Sequence, residues 1–193
     1  MTSLNFSHFC DGYVARLKSA LDLLPQAPLQ ALSDALMTAW KEKRQVFIFG
    51  NGGSAGNAIH LANDYLYGVS QQLGKALRVH ALPANPAVLT CLANDLGYDR
   101  IFLEQLAVLA NPGDIAIALS GSGNSPNIIK ALEYCRDNQI PSFSILGFSG
   151  GQAKLLSDHA IHVPVEDMQI SEDLQLVVGH LMMQWLYLHK DQI

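Results

Sequence analysis

An α/β fold, a doubly wound five-stranded parallel sheet behind an N-terminal helical hairpin, is what the sequence predicts, and three observations predict it. Short apolar runs alternate with helix-period segments from Gln45 onward. Two of those runs end in loops of glycine, serine and asparagine that open helices. The stretch before them carries apolar residues spaced by three and four, broken by Pro25 and Pro28. Strands that alternate with helices imply right-handed crossovers and a sheet covered on both faces. The 193 residues suit one domain spanning 1–193, with helices over 1–44 and an α/β core with a C-terminal helix over 45–193.

Each element has its own signal. Phe9, Tyr13, Val14, Leu17, Ala20, Leu21 and Leu24 predict a helix over Phe6 to Leu24, and Leu32, Leu36 and Trp40 a second over Leu29 to Lys43. Val46–Phe49 is too short and too rich in β-formers for a helix. Further strands are predicted at Leu77–Leu82, Asp114–Leu119, Ser142–Leu146 and His159–Val163, the last closed by Pro164. A final helix is predicted over Glu172 to Leu188.

Composition bounds the function. Charged residues are 15% and apolar residues 49%, which argues against a disordered chain and points to an apolar exterior covered by homo-oligomerisation. Lys+Arg number 12 against Asp+Glu 17, a net charge of −5. The densest basic cluster is Lys41, Lys43 and Arg44, which argues against nucleic acid as a partner. Cys10, Cys91 and Cys135 have no CxxC spacing, which fits a reducing compartment, with Cys91 read as a small core residue. Residues Met1 to Phe9 show no leader pattern and no apolar run is long enough to span a membrane, so the expectation is a cytoplasmic protein without membrane contact.

The chemistry is concentrated in the two loops, Gly50-Asn51-Gly52-Gly53-Ser54 and Ser120-Gly121-Ser122-Gly123-Asn124-Ser125. Backbone N–H groups and hydroxyls at a helix start suit a phosphate. The first loop lacks the lysine of a Walker A loop and the GxGxxG spacing, so no nucleotide cofactor is expected. Without Lys or Arg in either loop, a monophosphate on a sugar fits best. The competing reading is two ordinary turns with Ser54 and Ser125 as helix N-caps.

Beyond the first loop, His60 and Asp64 are four residues apart and share a helix face. In the terminal helix Glu172 lies near the predicted start, where the helix dipole alone would favour it. His180 sits among Val177, Val178, Leu181, Met182 and Met183, as either a satisfied core histidine or a functional one. Asn94 and Asp95 offer an amide and an acceptor to sugar hydroxyls, or simply close a turn.

The strings FGNGGSAGNAIHLANDY, CLANDLGYDRIF, ALSGSGNSPNIIKALEY and EDLQLVVGHLMMQWL, in this order, resemble the SIS (sugar isomerase) family, and within it the phosphoheptose isomerases that act on sedoheptulose 7-phosphate. The resemblance covers nearly the whole chain and implies an aldose–ketose isomerisation through an enediol, giving D-glycero-D-manno-heptose 7-phosphate for surface polysaccharide. It implies Asp64 and His180 as the acid/base pair and His60, Asp64, Glu172 and His180 as ligands of a zinc ion. It implies phosphosugar contacts from Asn51, Gly52, Gly53, Ser54, Asn94, Asp95, Ser120, Gly121, Ser122, Ser125 and Glu172, and a homotetramer whose sites neighbouring subunits complete.

The chain departs from the family pattern at four places: Asp64 for Glu, Glu172 for Gln, Ala55 for His and Gln175 for His. A shorter base is a consequential change, because a misplacement near 1 Å costs on the order of 100-fold in rate. A related branch of the family binds the bacterial replication initiator without catalysis, and it is the alternative function the resemblance leaves open.

Overall fold

The computed structural model describes residues 5–72 and 74–192; the first four residues of the segment read for a leader lie outside them. Two helices, α1 (Phe6–Leu21) and α2 (Gln26–Glu42), precede β1 (Gln45–Gly50). Next come α3 (Gly53–Asn63), a π-helical turn (Asp64–Gly68), β2 (Arg78–Ala81), α4 (Pro86–Asp95) and α5 (Leu103–Leu109). The chain closes with β3 (Ile115–Ser120), α6 (Pro126–Asp137), β4 (Ser142–Leu146), α7 (Ala153–Leu156), β5 (His159–His162) and α8 (Met168–Leu188).

The five strands form one parallel sheet in the order β2-β1-β3-β4-β5. Alternate residues of each central strand feed two cores. Val46, Ile48, Ile115, Ile117 and Leu119 pack with Leu36 and Trp40 of α2, Leu61 of α3, and Val178 and Met182 of α8. Phe47, Phe49, Ala116 and Ala118 pack with Phe102, Leu106, Ile128 and Leu132 on the opposite face. The alternation is why β1 and β3 read as continuous apolar runs: both faces are dry. In this strand order the winding reverses between β1 and β3, so ligand chemistry is expected outside their carboxyl ends.

The predicted doubly wound sheet stands, with boundaries moved for identifiable reasons. The first helix ends at Leu21, and the second starts at Gln26 with Pro25 at its cap. The terminal helix starts a turn earlier than predicted because Asp167 caps it, its carboxylate accepting from the Gln169 and Ile170 N–H groups. Glu172 therefore lies beyond the first turn, and a helix-dipole role there does not apply. Residues 86–109 hold α4 and α5, which the sequence reading left unassigned. Cys91 is exposed on α4 rather than a core residue, since α4 carries no buried side chain at all.

The hairpin is anchored to the core. Ala20 of α1 packs with Val163, Ile170 and Leu174, and the Tyr13 hydroxyl donates to the Asp173 carboxylate of α8. That bond to a negative acceptor, more than burial, pushes the phenol up to about 12.

Candidate active site

The carboxyl ends of β1 and β3 are adjacent, Gly50 opposite Leu119, so the two glycine–serine loops start side by side. A side chain on Gly50 would meet the Leu119 carbonyl at 2.8 Å and the Ser54 Cβ at 2.7 Å, which is why the residue must be glycine. Across the gap Asn51 and Asn127 exchange a reciprocal amide pair, at 2.9 and 2.8 Å. The Tyr98 hydroxyl adds a third bond, donating to Asn51 Oδ1 at 3.0 Å. Asn51, read from sequence as a substrate contact, thus spends its amide on clamping the loops together.

The second loop is a preorganised turn. The Ser120 hydroxyl accepts from the Gly123 N–H at 3.0 Å and the Ser122 hydroxyl from the Asn124 N–H at 3.3 Å. Gly123 has φ +68°, and any Cβ there would overlap the Gly150 carbonyl, so the loop packs directly on the turn that follows β4. The Ala153 and Gln152 N–H groups reinforce this, bonding Gly123 O and Asn124 Oδ1. Ser125 occupies the cap position of α6 without making a cap bond, so the capping reading fails there. Ser120 and Ser122 use their oxygens as acceptors and Ser125 caps nothing, which leaves three O–H donors for an anion.

The first loop is arranged differently. Gly52, with φ +55°, takes the cap position of α3, and Ser54 lies inside the helix, buried, so the capping reading fails for it too. Its hydroxyl accepts from Gln175 Nε2 at 3.0 Å. Asn57 Nδ2 donates to both Gln175 Oε1 and the Glu172 carbonyl, each at 3.0 Å. The Glu172 carboxylate lies directly against Gly53, where any Cβ would overlap it. A carboxylate already stands at the start of α3, where an anion is most favoured. A phosphate is therefore directed to the serine loop after β3.

Asp64 opens the π-helical turn at the end of α3, in which the Val69 N–H reaches back to the Asp64 carbonyl at 3.1 Å. Such turns widen a helix and re-aim the side chains on it. Here the result is a cluster: His60 Nε2 and His180 Nε2 are 2.9 Å apart, and Asp64 Oδ2 lies 3.6 and 3.5 Å from them. The rings meet edge to face, with centroids 5.2 Å apart. At 2.9 Å one ring nitrogen donates to the other, the tautomers deciding which. The Asp64 distances are those of ion contacts, not hydrogen bonds.

Three of the four residues read as a ligand set thus converge within one chain, and Glu172 stands apart against Gly53. Asn94 and Asp95 form the exposed end of α4, bonded to each other at 2.7 Å. Their segment touches the loops through Tyr98 instead. Sequence reasoning missed Tyr98, Asn127 and Asn57, isolated polar residues with no spacing signal; only Gln175 had drawn notice, as a departure.

The profile of the SIS domain matches residues 8–147, which decides the family. The chain belongs to the SIS domain family. A relative from Chlorobaculum tepidum named phosphoheptose isomerase is 34% identical over 174 residues, 89% of this chain and 83% of its own. One from Helicobacter pylori with the same name is 34% identical over 173 residues, 90% of this chain and 89% of its own. The solved structure of a phosphoheptose isomerase from Francisella tularensis superimposes with a TM-score of 0.86, at 24% identity and full coverage of both chains. One from Neisseria gonorrhoeae gives 0.84, also at 24% identity, over 97% of this SIS chain and 96% of that one. Both confirm the SIS fold.

Proposed function

We propose that this SIS protein is a phosphosugar isomerase that converts sedoheptulose 7-phosphate to D-glycero-D-manno-heptose 7-phosphate. The observation that carries the reading is the meeting of one carboxylate with two imidazoles where α3 packs on α8, in a chain whose loop after β3 offers three serine hydroxyls. The names of relatives about one-third identical over most of their length support the same substrate class.

Ser120, Ser122 and Ser125 hold the phosphate, and this remote binding energy positions the carbonyl end at the cluster. Asp64 removes a proton from C1 of the ketose and returns it to C2, passing through the enediol. His180 carries the compensating proton from O1 to O2, and His60 orients its ring through the 2.9 Å contact. General acid–base assistance of this type contributes on the order of 10²–10⁴-fold.

The same three side chains fit a metal. Donors on a tetrahedral zinc stand roughly 3.3 Å apart, given bonds of about 2.0–2.1 Å, and the observed separations of 2.9, 3.5 and 3.6 Å bracket that edge. His60, Asp64 and His180 would hold the ion, which when bound polarises carbonyl and hydroxyl oxygens. Glu172, placed against the start of α3, would serve the sugar instead. The apolar exterior supports assembly into a homotetramer.

The test is turnover of sedoheptulose 7-phosphate with and without added zinc. Asp64→Asn and His180→Ala should each lower kcat by about 100-fold or more with unchanged circular dichroism. A wild-type protein that binds the phosphosugar and never isomerises it would sink the reading.

A further inference from the structure

At the amino edge of the sheet, opposite the glycine–serine loops, lies a cavity of about 630 Å³. Its walls come from the end of α2, from Ser70, Gln72, Gly74, Lys75 and Ala76, from the first residue of β2 and from the turn after α8. Lys41, Lys43, Lys75, Arg78 and Lys190 line it, with Asp191 the one acid. Of the twelve Lys and Arg residues, five pair with carboxylates elsewhere on the surface. Of the seven for which no carboxylate partner stands among the described residues, five face this one space.

A helix C-terminus favours cations, and that accounts for Lys41 and Lys43 alone. Lys75, Arg78 and Lys190 arrive from separate segments, against their mutual repulsion. Arg78 is held in place by donating to the Lys43 carbonyl at 3.1 Å. The Lys190 ammonium sits 3.7 Å from the centroid of the Tyr187 ring. In a chain with a net charge of −5, a concave site of one sign focuses an opposite charge into it.

We propose that this cavity binds a small oligophosphate anion. A single phosphate ester carries only about −1.5 to −2, half of the four-charge surplus lining the walls. Two or more linked phosphates match it, and the volume lies within the range of sites for nucleotide-sized ligands, about 300–1,000 Å³. Trp40, whose edge lines the cavity, is a reporter at the site.

Calorimetric titration of the full chain with inorganic pyrophosphate, inorganic phosphate and ADP tests the proposal. Pyrophosphate should bind saturably, once per chain, and about tenfold or more tighter than phosphate, because a second linked phosphate adds charge-assisted bonds. Lys75→Gln and Lys190→Gln should each weaken it by roughly fivefold with unchanged melting temperature, and saturating sedoheptulose 7-phosphate should leave it unaltered. ADP binding tighter than pyrophosphate, with a change in Trp40 fluorescence, supports a nucleotide as the source. Equal binding of the two supports free oligophosphate. Three results overturn the proposal: no saturable pyrophosphate binding, wild-type affinity in both variants, or phosphate binding as tightly as pyrophosphate.

Discussion

The Asp64 carboxylate is one methylene shorter than the glutamate the family pattern carries, yet Oδ2 stands nearly equidistant from two imidazole nitrogens. The π-helical turn that begins at Asp64 re-aims its side chain within the helix. The anion end is set by single hydroxyls in the same way. Ser125 caps nothing, so Ser125→Ala removes one of the donors proposed for the phosphate and leaves α6 intact. A hydrogen bond to a charged group contributes about 1.5–3 kcal/mol, so KM should rise roughly tenfold or more with kcat nearly unchanged. A matched fall in kcat instead would place Ser125 in the chemical step, and steady-state kinetics separates the two.

At the scale of elements, α3 and α8 approach so closely that Gly179 rests on the Leu61 side chain, whose Cγ would lie 2.9 Å from an added Cβ. The buried Tyr65 hydroxyl seals the crossing by donating to the Gly179 carbonyl at 3.1 Å, and desolvation raises its pKa. Since His180 follows Gly179, the contact also sets the distance to His60. Gly179→Ala should destabilise the fold by about 1–3 kcal/mol through overpacking and lower turnover by parting the two rings. Urea unfolding alongside activity checks both, and an unchanged midpoint would mean the helices can slide apart freely. The strands were legible because β1 and β3 are dry on both faces, and the two loops because glycine and serine cluster where strands end. His60 and Asp64 were legible as an i, i+4 pair. What joins them to His180 was not: the 120-residue separation and a glycine-mediated helix crossing leave no local pattern. The same holds for the Asn51–Asn127 clamp and for the basic cavity, which only folding assembles from Lys43, Lys75, Arg78 and Lys190.

For the molecule as a whole, area scaling for a 21.0 kDa chain gives roughly 9,000 Å² of accessible surface, and this chain exposes 10019 Å². Some of the exposed surface is apolar and lies together on one helix. Leu181, Trp185 and Leu188 form an exposed stripe at i, i+4 and i+7 on α8, 48%, 45% and 74% exposed. Ile59 beside His60, with Leu66 and Tyr67 just past Asp64, are exposed too. An exposed apolar stripe of this kind marks an association site, and it begins at the residue after His180. Assembly and catalysis should therefore fail together. Trp185→Arg puts a charge in the stripe's centre while leaving the core of α8, Val178, Met182 and Leu186, untouched. Sedimentation velocity should show an oligomer for the wild type and smaller species for the variant, with turnover lower by roughly tenfold or more. If the variant sediments as the wild type does, assembly uses another face.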